Sequence, residues 1–180
     1  MKRIWPLVVL GLATYLLLAI VTLPASLILS RLPPSVATAG VEGTVWNGRA
    51  QIVQIAGVQI GSVSWKLHAL PLFAGRVRAD LKVTRRDGFI DTRLSMPMSG
   101  GPLSLSNLTG SLPLAALPPS VAPGGWTGIV NARLEQLELA NGWPTQIEGT
   151  VEIENLTGPA RRPVNVGSYK ATFPPGTAGD

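Results

Sequence analysis

Catalysis needs a nucleophile with its base, paired acids, or a set of metal ligands, and this 180-residue chain is poor in all three. It contains no cysteine, which removes thiolate nucleophiles, thiolate metal sites and disulfides together. Its one histidine, His68, lies in Trp65-Lys66-Leu67-His68-Ala69-Leu70. A lone histidine in a strand-like segment reads as structural, with no second imidazole to share a metal. Acidic residues are sparse, and most fall at outward strand positions, as solvated face charges do. Ser62, Ser64 and the serines near Leu103 lie in no GxSxG elbow and near no GxGxxG or phosphate-binding loop. The reading is a binding protein, not an enzyme, with no catalytic residue, metal or cofactor.

Location then becomes the main constraint. Twenty-seven residues, Ile4 to Ser30, carry no charge and follow directly on Met1-Lys2-Arg3. A hydrocarbon core of about 30 Å needs about 20 helical residues, and Ile4 to Leu23 supplies that length before Pro24 interrupts it. Pro6 falls in the first turn, where its missing N–H costs little. Lys2 and Arg3 beside Trp5 form a cytoplasmic flank with an interfacial aromatic, so the chain after Arg31 is expected on the far side. A cleaved signal peptide is the competing reading. Its apolar region is roughly 7–15 residues, shorter than this run, and the small-x-small site Ala37-Thr38-Ala39 lies beyond Pro33-Pro34. Length favours the uncleaved anchor. Gly11, Ala13, Thr14 and Ala19 form no GxxxG pair, so no specific helix partner is expected from them. The expected organisation is a cytoplasmic tail at 1–3, an anchor with exit segment at 4–30, a proline-stiffened linker at 31–40, and one β domain at 41–180.

The net charge of +5 suggests nucleic acid until it is mapped along the chain. Residues 41–100 hold eight Lys and Arg against four Asp and Glu, whereas residues 101–160 hold only Arg133 against five acids. The domain is charge-polarised. A nucleic-acid groove interleaves basic residues with aromatics, and no such stripe is present. Two solvated sheet faces of opposite sign explain the pattern, and polarised charge can also orient a protein partner.

Beyond Val41 the hydrophobic period is two, most cleanly in Arg76-Val77-Arg78-Ala79-Asp80-Leu81-Lys82-Val83. Asn47-Gly48, Asp87-Gly88 and Asn141-Gly142 each separate strand-like runs and suit two-residue type I′ hairpins. The Asp87-Gly88 turn would pair Val83 with Thr92, Leu81 with Leu94 and Ala79 with Met96, leaving Lys82 opposite Arg93. The Asn141-Gly142 turn would pair Ala132 with Val151 and Val130 with Ile153, and Arg133 with Thr150 and Asn131 with Glu152 on the other face. Leu137 and Leu139 then fall on the polar side, which a β-bulge near Glu135-Gln136 would correct. At Asn47-Gly48 the first pair would be Trp46 with Arg49, allowing a cation–π contact. Leu70 to Gly75 reads as a connection or single turn, and Leu114 to Leu117 as one turn stopped by Pro118-Pro119. Ser106-Asn107-Leu108-Thr109-Gly110 is echoed by Glu154-Asn155-Leu156-Thr157-Gly158, as similar strand ends of a repeated meander. The fold class is therefore all-β: a single transmembrane helix, then a curved, mostly antiparallel sheet of consecutive hairpins.

The order of these pieces, above all Val41-Glu42-Gly43-Thr44-Val45-Trp46-Asn47-Gly48-Arg49-Ala50, resembles the protein N family of the bacterial type II secretion system. Further matches are Gly61-Ser62-Val63-Ser64-Trp65-Lys66-Leu67, Asn141-Gly142-Trp143-Pro144 with Gly149-Thr150-Val151, and Asn165-Val166-Gly167-Ser168-Tyr169. The resemblance implies a single-pass inner-membrane protein with a periplasmic β domain, an accessory subunit of a Gram-negative machine that exports folded proteins. Implied partners are other inner-membrane subunits and the outer-membrane secretin. Gly43, Trp46, Asn47, Gly48 and Trp65 are the motif residues expected to have structural or partner-binding roles. The family's chains usually continue with further strands, whereas this one stops at Asp180. The layout also resembles AsmA-like proteins, which implies lipid binding along an apolar groove. The two readings differ in whether Val77, Ala79, Leu81, Val83, Leu94 and Met96 are covered by a second layer. A purely structural envelope spacer, with neither partner nor lipid, is the third reading.

Overall fold

Short alternating runs bounded by glycine, proline and asparagine favour strands over helices through most of this chain. The computed structural model describes residues 5–29, 35–55, 58–117, 125–140, 143–158 and 165–176. Nine strands run in chain order through one sheet: β1 (Val36–Gly43), β2 (Asn47–Ile55), β3 (Val58–Leu67), β4 (Arg76–Thr84), β5 (Phe89–Pro97), β6 (Leu103–Pro113), β7 (Thr127–Ala140), β8 (Trp143–Thr157) and β9 (Asn165–Phe173). Every neighbouring pair is antiparallel, and the sheet is not closed, so β1 and β9 are its edges. β1 starts at Val36, inside the stretch expected to be linker, because Val36 and Thr38 take Ile55 and Val53 as ladder partners.

Helix α1 (Trp5–Val21) has 17 residues, about 25 Å at 1.5 Å per residue. Among the described residues no helix is long and apolar enough to cross a membrane. α2 (Ser26–Leu29) is a single turn within the expected exit segment; α3 (Ala69–Phe73) joins β3 to β4 where a connection or single turn is expected, and a 3₁₀ turn at Leu114–Ala116 follows β6 where one turn is expected.

The register sorts side chains into two faces. Ala50, Val63, Val83, Ile90, Gly110, Ala132, Val151 and Ala171 are successive cross-strand partners from β2 to β9. The neighbouring row, Glu42, Arg49, Ser64, Lys82, Asp91, Thr109, Arg133, Thr150 and Thr172, is polar across all nine strands. No second sheet lies on the apolar face among the described residues. Ala50, Val53, Ala79, Leu114 and Leu134 are buried, and Val77, Leu81, Val83 and Leu94 are only half-buried.

Bulges keep this sorting consistent over long strands. Asp91 pairs with Thr109 but Arg93 with Ser106, so Asn107 is an extra residue in β6; it takes the left-handed conformation at φ 52°. Asn155, at φ 53°, lies at the corresponding irregularity of β8, between Ile153 and Leu156. The sequence echo is thus a repeated bulge built on asparagine, the non-glycine residue best suited to that region. The bulge expected near Glu135 is present, between Leu134 and Gln136. It returns Leu137 and Leu139 to the apolar face, opposite Ile147 and Pro144, and the four pairs expected between β7 and β8 all form.

The type I′ turns do not form where they can be seen. Such turns need positive φ at both central residues, and neither Asn47-Gly48 nor Asp87-Gly88 has it. The β4–β5 loop instead runs from Arg85 to Gly88, with the Arg85 N–H donating to the Gly88 carbonyl at 2.8 Å. Pairing shifts by two residues from expectation, so the faces survive while the partners change: Val83 meets Ile90, Leu81 meets Thr92 and Ala79 meets Leu94. Lys82 now faces Asp91 and Asp80 faces Arg93, replacing the expected like-charge pair with two opposite-charge pairs. Glycine is required at position 88 because β6 approaches there: a Cβ would collide with the Ser111 carbonyl oxygen. Asn141-Gly142 lies outside the described residues.

Candidate functional site

The motif residues converge where α1 meets the first hairpin. The apex of that hairpin is Thr44-Val45-Trp46, with Gly43 paired to Gly48 and Glu42 to Arg49. Trp46 is therefore not opposite Arg49, and the expected cation–π pair is replaced by a different contact. The Trp46 indole Nε1–H donates to the Ile20 carbonyl in the last turn of α1 at 2.8 Å, a shorter bond than the 3.4 Å one that the same carbonyl accepts from Leu23 N–H. Carbonyls in a helix's last turn lack intrahelical partners, so an indole N–H aimed at one is a C-terminal cap supplied from elsewhere in the chain.

The segment after α1 then joins the hairpin. Val45 N–H donates to the Leu23 carbonyl at 2.9 Å, Ala25 N–H to the Gly43 carbonyl at 3.2 Å, and Pro24 forms an isolated antiparallel bridge with Thr44. Ala25 is 2% exposed, the deepest residue of that segment. β3 closes the arrangement from the other side. Trp65 Nε1–H donates to the Val45 carbonyl at 3.1 Å, and Leu67 N–H donates to the Trp46 carbonyl at 2.7 Å. Asn47 closes the apex, its N–H donating to Thr44 Oγ1 at 3.2 Å and its carbonyl accepting from Thr44 N–H at 2.9 Å.

Both glycines are fixed by close approach. Gly43 has φ +90°, and a Cβ there would strike the Asn47 carbonyl oxygen. A Cβ on Gly48 would collide with Cζ2 of Trp65 and lie 3.0 Å from the Glu42 carbonyl oxygen. All five expected residues thus meet in one junction between an apolar helix and a β-sheet. Its chemistry is mechanical: backbone and indole hydrogen bonds couple the two elements.

The sequence did not disclose the polar cluster beside it. Asp80 accepts from Arg93 Nε at 2.8 Å through one carboxylate oxygen and is hydrogen-bonded to His68 Nε2 at 2.8 Å through the other. The alternation did place Asp80 and Arg93 on the outward face, which was the available signal. Arg93 first, then His68, hold the Asp80 carboxyl below its ordinary range, partly opposed by burial. A depressed folded value means the stabilisation is present above the unfolded pKa of about 3.9 and is lost as pH falls through the lower folded value. Asp80 is over a third exposed, so screening limits the effect to about 1 kcal/mol or less. Asp80→Asn is expected to lower the urea midpoint slightly at neutral pH, and the difference from the parent should begin to shrink as pH falls below about 4 and disappear only beneath the depressed folded value.

A family model described as Type II secretion system (T2SS), protein N matches residues 34–174. The type II secretion system protein N of Vibrio cholerae serotype O1 (strain ATCC 39315 / El Tor Inaba N16961) is 38% identical over 68 residues, 37% of this chain. The matched stretch spans 27% of that relative's length. No solved structure matches.

Proposed function

This chain belongs to the type II secretion system protein N family, and from that membership we propose that it is an inner-membrane accessory subunit of the export machine, acting through protein contacts in the periplasm. The match over 34–174 carries the proposal, since it takes in the motif hairpin and all nine strands. The anchor is α1 with the uncharged residues that flank it. Its described side chains are exposed throughout, and a helix apolar on every side belongs in lipid or in a protein core. Lys2 and Arg3 hold the N-terminus in the cytoplasm, leaving the sheet in the periplasm. The Trp46 junction transmits the anchor's position to the sheet. No catalytic step is assigned, and partners are other secretion subunits, with the secretin among the candidates. In a deletion strain, export of folded substrates is expected to fall and to return with the intact gene; unchanged export would overturn the proposal.

One observation favours a second reading. The apolar face carries no covering layer among the described residues, and Met96 on it is 38% exposed. That is the condition under which lipid could lie along the sheet. A photoreactive phospholipid in the same membranes separates the readings. Labelling that disappears in Leu81→Ser and Leu94→Ser chains would support lipid handling, and no labelling would remove it.

A further inference from the structure

In an antiparallel meander, alternate connections emerge at the same end of the sheet. The β1–β2 apex, which holds the end of α1, therefore shares its end with the β3–β4, β5–β6 and β7–β8 connections. Among the described residues of the β domain, these three carry the most exposed large apolar side chains: Leu70 at 83% and Phe73 at 89% on α3, Met98 at 63%, and Trp143 at 77% at the start of β8. Elsewhere in the sheet no large apolar side chain exceeds Val58, at 55%. Leaving Leu70 and Phe73 in water forfeits the burial that normally holds so short a helix.

Charge follows the same division. Residues 69–75, 97–103 and 139–145 hold no ionisable side chain, and the ionisable residues that directly border them are His68, Arg76 and Glu138. The opposite end carries Arg85, Arg86 and Asp87 beside a polar hollow lined also by Gln51, Gln59 and Ser62. An uncharged rim with an exposed tryptophan and a flanking arginine has the composition of a surface resting at the boundary between headgroups and acyl chains.

We propose that Leu70, Phe73, Met98 and Trp143 form a second membrane contact, a rim of connection tips that seats the α1 end of the sheet in the bilayer surface. This rests on the reading of α1 as an anchor, which brings that end to the lipid. The rim fixes the sheet upright, so that its edges and its apolar face stand away from the membrane.

Because the chain lacks cysteine, single cysteines carrying an environment-sensitive fluorophore test this directly. The full chain would be reconstituted in phosphatidylethanolamine–phosphatidylglycerol vesicles containing nitroxide-labelled lipid. Phe73→Cys, Met98→Cys and Trp143→Cys are expected to give blue-shifted, lipid-quenched emission, and Arg86→Cys at the opposite end the emission of a dye in water. Their high exposure makes these positions tolerant of the change. Water-like, unquenched emission from the three rim positions overturns the proposal, as it would if the rim serves a protein partner instead. Leu12→Cys reads the anchor separately. If it is quenched while the rim is not, the rim alone fails; if neither is quenched, both readings fail.

Discussion

Gly48→Val is expected to loosen the junction between α1 and the sheet and to lower the melting temperature by about 5–15 °C, for roughly 2–4 kcal/mol lost. The added side chain occupies the space of the Trp65 ring, as its Cβ alone collides with Cζ2. The ring is rigid and sits on β3, so it must rotate away or the strands must separate. Either movement breaks the Trp65 Nε1–H bond to the Val45 carbonyl and frees the apex that holds the Leu23 carbonyl. Thermal melting followed by tryptophan fluorescence checks this. Melting within a degree or two of the parent would show that the two tryptophans do not brace the hairpin.

Gly149→Val is expected to cost more, roughly 3–6 kcal/mol. Gly149 has φ +128°, a conformation that L side chains rarely adopt, so strain is unavoidable. Its Cβ would also meet the β7 backbone just before the bulge, at the Arg133 carbonyl oxygen and at the Leu134 Cα at 2.6 Å. Leu134 is among the few buried side chains, so relief of that clash disturbs the best-packed part of the sheet. Gly158→Ala serves as the control. Its Cβ would make ordinary contact with the Trp126 ring at 3.6 Å, and its φ is unexceptional, so stability should change by less than about 0.5 kcal/mol. Urea unfolding of the three proteins provides the comparison, and equal midpoints for Gly149→Val and Gly158→Ala would contradict the bulge's role.

The face each residue takes was legible in the sequence, and its partner often was not. Alternation put Ala79, Leu81, Val83 and Leu94 on one side, where they remain. The register of β4 on β5 was misread because a dipeptide common in two-residue turns sits here in a four-residue loop. Gly88 answers to the Ser111 backbone, a neighbour supplied by β6 and invisible in local sequence. Between β7 and β8 the hydrophobic pattern itself demanded an extra residue near Glu135, and that inference succeeded. The Asn-Leu-Thr-Gly echo was visible, though its meaning as a left-handed bulge required backbone angles. The motif hairpin could be picked out, but the Trp46 bond to Ile20 spans 26 residues and belongs to tertiary structure. The same holds for His68 and Asp80, adjacent only through the pairing of β3 and β4.

Gly48, Gly149 and the rim govern how the chain is built and placed, whereas its proposed work is as part of the secretion machine. The most direct measurement is affinity purification of the tagged full-length chain from detergent-solubilised membranes after mild crosslinking, with the captured proteins identified by mass spectrometry. Recovery of inner-membrane secretion subunits, reduced when Gly48→Val uncouples the sheet from α1, is the result expected. Recovery of no secretion component from membranes that contain the assembled machine would contradict the account.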